Sequence, residues 1–312
     1  MTTRPRLGYL MVVAGAVLFG LNGGVSRVAM GSGLTPETFT TLRITGATAV
    51  FMLTALCIRR SALRPPTGSS LMLVVALGLV GVAALQLTYN IAITRLPLGI
   101  ALLLEYLAPV LVILWVRFAR KEAVHQRMWL AVALALGGLA VVGQVWTGLA
   151  FDGLGVVMGL LAAVSFATYF LLGEHNVGTT DPLRVILWAF VVATVVMNLA
   201  QPLWTVPELD SRTTMLGRLD GWSVNPWIAV AAVVVLGTVV PFFLQLLALQ
   251  HLPATVVTVI AMLEPVIANV LGWGWFRESL NGLQVLGVVA VLAGIVLAQT
   301  ARTVEPDLLP QP

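Results

Sequence analysis

Charge is scarce in this chain: Asp, Glu, Lys and Arg make up only 10% of its 312 residues, against roughly 25% in an ordinary soluble domain. With 59% hydrophobic residues and a mean hydropathy of +0.99, that scarcity excludes a soluble fold. A single cysteine, Cys57, excludes an intrachain disulfide and any cysteine-rich metal site. The three histidines (His125, His175, His251) stand between apolar runs or at their ends, and no His/Asp/Glu cluster has metal-ligand spacing. No G-x-x-x-x-G-K-[ST] loop is present to hold a nucleotide, and no nucleophile, base and orienter set stands out. Neither a cofactor, a metal nor an enzyme is therefore expected. The pI near 9.8 rests on 17 basic against 13 acidic residues. Those bases punctuate apolar runs, where they set membrane topology, so no nucleic-acid partner is expected.

What is present is a series of long apolar runs, each near the 20 or so residues that cross a bilayer at 1.5 Å per residue. Breaks at Gly, Pro and charge clusters give ten spans, at 7–30, 37–58, 70–94, 98–117, 127–146, 153–173, 183–203, 226–249, 254–275 and 281–300. The first follows Arg4 and Arg6 as a signal peptide would, but it is too long for one and reads as a retained helix. The charged stretch Pro207 to Asn225 is expected to be an aqueous loop, and 301–312 a disordered cytoplasmic tail. With the N-terminus in the cytoplasm, eleven Lys and Arg residues of the connections and tails fall inside. Only Arg95, Arg212, Arg218 and Arg277 fall outside. The expectation is a multi-pass protein of the cell membrane with both termini cytoplasmic.

The chain also repeats itself. Leu96-Pro97, Leu107, Pro109-Val110 and Glu122 return as Leu252-Pro253, Leu263, Pro265-Val266 and Glu278, every pair 156 residues apart. The register continues to Leu136/Leu292 and Gly138/Gly294. Residues 7–146 and 153–300 are then two five-helix units. Because five is odd, the second enters the membrane upside down. The predicted fold is all-α, ten transmembrane helices as two inverted five-helix repeats, an arrangement that in secondary transporters places the substrate near midplane between the halves.

These features together are similar to the EamA branch of the drug/metabolite transporter superfamily: Leu-Pro opening the fourth and ninth helices, Pro109-Val110 and Pro265-Val266 within them, Glu122 and Glu278 closing them, and a Gly-containing last helix in each half. The resemblance spans about residues 8–143 and 153–299 and implies export of small metabolites such as amino acids, or of drugs. The run Leu104-Glu105-Tyr106-Leu107-Ala108-Pro109 looks like the fourth helix of amino-acid exporters in this branch. The second half departs from it, with Ala261 at the position of Glu105 and Glu264 at that of Ala108.

An ionisable group within a span costs about 2.5–3.5 kcal/mol on insertion scales, so each needs a reason. Glu105 and Arg43 sit at matching depth, so an ion pair between them is feasible, either as a structural tie or with Glu105 as a substrate-ammonium or proton site. Glu264 lies near the middle of span nine beside Pro265, which withholds an amide from the Ala261 carbonyl. With no Arg or Lys in its own span or at its depth in the others, Glu264 is the first choice for proton coupling and Glu105 the second. Asn22, Gln86, Tyr89, Asn90 and Tyr106 fall in the outer half of the first repeat. Tyr169 and Gln245 fall in the inner half of the second, as inverted halves lining one pathway require, although interhelical bonding accounts for any one of them equally. Trp188 and Asn269 complete the candidate pathway. Arg27 is expected to snorkel to the outer face, and Glu174-His175 to face the cytoplasm. Spans five and ten, nearly free of polar residues, are placed away from the pathway as a surface for a homodimer. The reading is a secondary exporter of amino acids or related small metabolites; a multidrug exporter of cationic compounds is the alternative, and an intramembrane enzyme a distant one.

Overall fold

The computed structural model describes residues 4–96, 98–142, 152–209, 211–276 and 282–300. Eight of its helices are long and apolar enough to cross a membrane: α1 Pro5–Met30, α2 Pro36–Ile58, α3 Ser69–Ile93, α4 Ala101–Ala119, α6 Gly153–Asn176, α7 Pro182–Ala200, α8 Pro226–Ala248 and α9 Ala254–Gly274. Two shorter apolar helices, α5 Gln126–Val141 and α10 Gly282–Ala298, complete the set. They run back and forth, so one end of the bundle carries the start of α1 (the terminal end) and the other the 203–225 connection (the loop end). Residues 301–312, with the tail expected there, lie outside the described residues.

Helix starts obey local chemistry. Thr35-Pro36, Asp181-Pro182 and Asn225-Pro226 each place an oxygen-bearing cap before a proline in the first turn, and each cap accepts a backbone amide: Thr38, Leu183 and Trp227 respectively. Asp152 caps α6 by accepting the Gly155 amide at 2.9 Å and also takes Arg95 at 3.1 Å. That amide, with Arg95 beside it, holds the Asp152 carboxyl below the usual carboxylate range.

The inverted repeat is visible in how the halves touch. α5 and α10 pack on each other at two points, where a Cβ on Gly138 would lie 2.5 Å from the Gly287 carbonyl oxygen and one on Gly294 would lie 2.6 Å from that of Ala131. Gly138 and Gly294, like Ala131 and Gly287, are related by the same shift, so the contact is reciprocal about a pseudo-two-fold axis. Small residues allow this approach. The helical hydrogen bonding of α3 and α8 loosens to the π pattern at Leu77–Ala84 and Val235–Val239, again matching places in the two halves. α4 and α9 both break mid-helix, at Tyr106-Leu107 and at Met262.

The 203–225 connection differs from a plain aqueous loop. It folds a short hairpin, β1 Thr213–Thr214 against β2 Ser223–Val224, and docks on the loop ends of α1 and α9. Thr213 Oγ1 donates to the Val28 carbonyl, and the Trp275 ring N–H donates to Met215 O at 2.9 Å. The reason is Gly217, whose positive φ brings its backbone against Trp275 where any Cβ would collide. Trp204, Trp222, Trp227 and Trp273 are exposed near the same end, as interfacial anchors should be; Trp146 lies outside the described residues.

Candidate functional site

A cavity of about 110 Å³ lies among α1, α2, α3, α4 and α9, reaching from mid-bundle toward the loop end. Its walls carry Asn22, Ser26, Arg27, Arg43, Gln86, Tyr89, Asn90, Glu105 and Glu264, and Phe19, Phe166 and Phe242 line it from deeper in the bundle. Toward the terminal end an aromatic cluster closes the path. Phe242 packs edge-on against Phe19, Tyr169 and Phe190 at 5.0, 5.3 and 5.5 Å between ring centroids.

Two prolines place the carboxyl groups. Pro109 and Pro265 have no amide for the carbonyls four residues earlier, those of Glu105 and Ala261, so α4 and α9 break beside Glu105 and Glu264. Tyr106, in the break of α4, donates from its hydroxyl to Glu264 Oε2 at 2.7 Å and so joins the two broken helices.

A third proline places the guanidinium. Pro241 on α8 withholds an amide from the Gly237 carbonyl, and Arg43 Nη2 donates to that oxygen at 2.7 Å. Arg43 Nε donates to Thr238 Oγ1 at 2.6 Å, while the Thr238 hydroxyl itself donates to the Val233 carbonyl. Arg43 is therefore tied to α8 and not paired with Glu105. The anticipated contact is replaced by a shared cavity, which Arg43, Glu105 and Glu264 all line. The expectation that Glu264 has no cation at its depth is corrected by the same observation, because Arg43 of α2 and Glu264 of α9 line one cavity. Two of the five guanidinium N–H groups are engaged in these bonds, and Arg43 also lines the cavity.

Seven of the candidate pathway residues thus meet at one cavity: Asn22, Arg43, Gln86, Tyr89, Asn90, Glu105 and Glu264. Asn90 donates to Thr40 Oγ1, and Asn22 Oδ1 accepts from Ser26. Tyr106 stands behind Glu264. Tyr169 donates to the Phe242 carbonyl at 2.7 Å within the aromatic closure, and Gln245 is fully buried on the terminal side. Trp188 does not line the cavity; its ring N–H donates to Ala62 O at the terminal end. The Asn269 side chain lies outside the described residues. Arg27 lines the cavity, its guanidinium 5.1 Å over the ring of Phe276, just past the loop end of α9. Glu174 was not anticipated as a contact: on the terminal side its carboxylate accepts from Arg120 at 2.6 Å and from the Ala254 amide at 2.7 Å, bridging the end of α4 and the start of α9.

A bundle of apolar helices in two inverted halves, with charged groups around a cavity at paired helix breaks, defines a multi-pass membrane transporter. The comparisons agree. The model of the EamA-like transporter family matches residues 6–144 and 153–300, and the chain belongs to that family, within the drug/metabolite transporter superfamily. It is 28% identical over 221 residues to a threonine/homoserine exporter RhtA of Salmonella typhimurium, covering 70% of this chain and 68% of the relative. The RhtA of Escherichia coli K12 is 27% identical over 215 residues, covering 69% and 66%. An uncharacterized transporter of Archaeoglobus fulgidus is 27% identical over 211 residues, covering 68% and 70%. One crystal structure superposes with a TM-score of 0.77 at 19% identity, covering 96% of this chain and 99% of the other, which supports the fold.

Proposed function

We propose that the protein is a proton-coupled secondary exporter of amino acids or related small metabolites, working by alternating access in the cell membrane. The observation that carries this reading is that Arg43, Glu105 and Glu264 line one cavity. An amino-acid zwitterion presents a carboxylate and an ammonium group at once, and such walls answer both. The threonine/homoserine exporters among the relatives point to the same chemistry. A cationic drug fits less well, because Arg43 repels it.

The two units, 7–146 and 153–300, are the bodies that move against each other. Both termini face the cytoplasm, so the cavity belongs to the outward-facing arrangement. The aromatic closure and the Glu174 bridge shut the cytoplasmic side. The exposed outer faces of α5 and α10 offer the place where a second copy would sit. A reporter fused after Arg302 should be active only in its cytoplasmic form. Cells expressing the protein should withstand toxic amino acids or their analogues, and inverted vesicles should accumulate labelled amino acid. Resistance to lipophilic cations without amino-acid accumulation would overturn the substrate assignment.

A further inference from the structure

One amide side chain on the cavity wall has no hydrogen-bond partner among the described residues. Gln86 is 4% exposed, lines the cavity, and neither its Oε1 nor its Nε2 has a hydrogen-bond partner among the described residues. Its neighbours are engaged: Asn90, one turn along α3, donates to Thr40, and Asn22 accepts from Ser26. A buried amide left without partners has lost its hydrogen bonds to water and gained none in return. Such a cost is tolerable where a ligand supplies the missing partners.

We infer that Gln86 is a specificity residue that reads an uncharged hydrogen-bonding group on the substrate's side chain, a hydroxyl or a carboxamide. This rests on the amino-acid reading above. The charged ends of a zwitterion are answered by Arg43 and by the two carboxyl groups. What remains is a neutral primary amide, which accepts through one atom and donates through the other. A hydroxyl or a carboxamide satisfies both; a methyl or methylene group satisfies neither and leaves the amide stranded. A site built to bond a hydroxyl rejects the analogue lacking it far more strongly than an apolar pocket separates two alkyl groups.

The test compares two near-isosteric pairs, threonine with valine and asparagine with leucine, in export from loaded vesicles by wild type, Gln86→Leu and Gln86→Asn. Wild type should prefer the polar member of at least one pair by about 100-fold. Gln86→Leu should bring that ratio to within about 10-fold, by losing the polar substrate, while Gln86→Asn, which keeps the amide, should retain part of it. Both variants are checked for yield and monodispersity. Should Gln86→Leu not fold, the Gln86→Asn ratio and the wild-type preference still decide. Wild-type export with no preference in either pair overturns the inference and leaves the amino-acid reading standing. So does a preference that Gln86→Leu leaves intact. If wild type exports none of the four, the amino-acid reading itself fails and this inference falls with it.

Discussion

Tyr106 donates a hydrogen bond of 2.7 Å to Glu264, and with it the break in α4 grips the break in α9. The bond is one direct link between the two inverted halves at the cavity, beside those of Arg43 to Gly237 and Thr238, so movement of one half is felt by the carboxyl group of the other. Tyr106→Phe removes the donor and almost nothing else. A hydrogen bond to a charged group contributes about 1.5–3 kcal/mol, so transport should fall by roughly 10-fold or more. In a Glu264→Gln background the same change should cost much less, since residues that share one interaction are not additive. Equal losses in both backgrounds would show that the two side chains act separately.

Arg43 gives a second, purely structural expectation. Arg43→Ala strips the donor from the Gly237 carbonyl, which Pro241 has already deprived of its helical amide. The unsatisfied group should cost about 1–3 kcal/mol and lower the melting temperature in detergent. Adding Pro241→Ala supplies an amide at position 241 and should recover part of that loss. Glu105→Ala should recover less, because no ion pair ties Glu105 to Arg43. A greater recovery with Glu105→Ala than with Pro241→Ala would restore the ion-pair picture.

The contact between α5 and α10 predicts paired effects. Gly138→Ala sets a methyl 2.5 Å from the Gly287 oxygen, and Gly294→Ala sets one 2.6 Å from the Ala131 oxygen. Both partners are backbone, so the helices must separate, at about 1–3 kcal/mol for each change. Thermal unfolding should show losses of similar size. If only one of the two is destabilising, the contact is not reciprocal.

Much of this was legible in the chain. The shift of 156 residues pointed to the inverted halves, and Pro265 announced the break that presents Glu264; Pro109, its repeat mate, carried the same signal for Glu105 unread. Depth along a helix was readable too, which is why seven candidates share one cavity. Which helix faces which was not readable. Matching depth suggested Glu105 as the partner of Arg43, whereas packing set α2 against α8. Pro241 was the available signal, since a proline four residues after Gly237 leaves a carbonyl seeking a donor. Glu174 was read by position alone as facing water. Its two partners, Arg120 and the Ala254 amide, come from elements that only the fold brings together.

The last prediction concerns what drives export uphill. A coupled exporter needs a group that binds a proton or the substrate but not both, and a carboxyl group in the cavity is the natural choice for an ammonium-bearing substrate. Two are present, and they differ in their ties. Glu264 receives the Tyr106 hydroxyl from the other half. Glu105 has no such bond to the opposite half. Loading and unloading of Glu264 is therefore the event best placed to move the halves. Glu264→Gln keeps the shape and fixes the group neutral, so proton exchange there stops. In reconstituted vesicles the variant should lose accumulation against a gradient when a pH difference is imposed. Exchange of labelled for unlabelled substrate should continue, within about 10-fold of wild type, because Arg43 and Glu105 still hold a zwitterion. Uphill accumulation that survives Glu264→Gln would transfer the role to Glu105, tested next by Glu105→Gln. If neither variant loses it, proton exchange at these carboxyl groups does not drive the transporter.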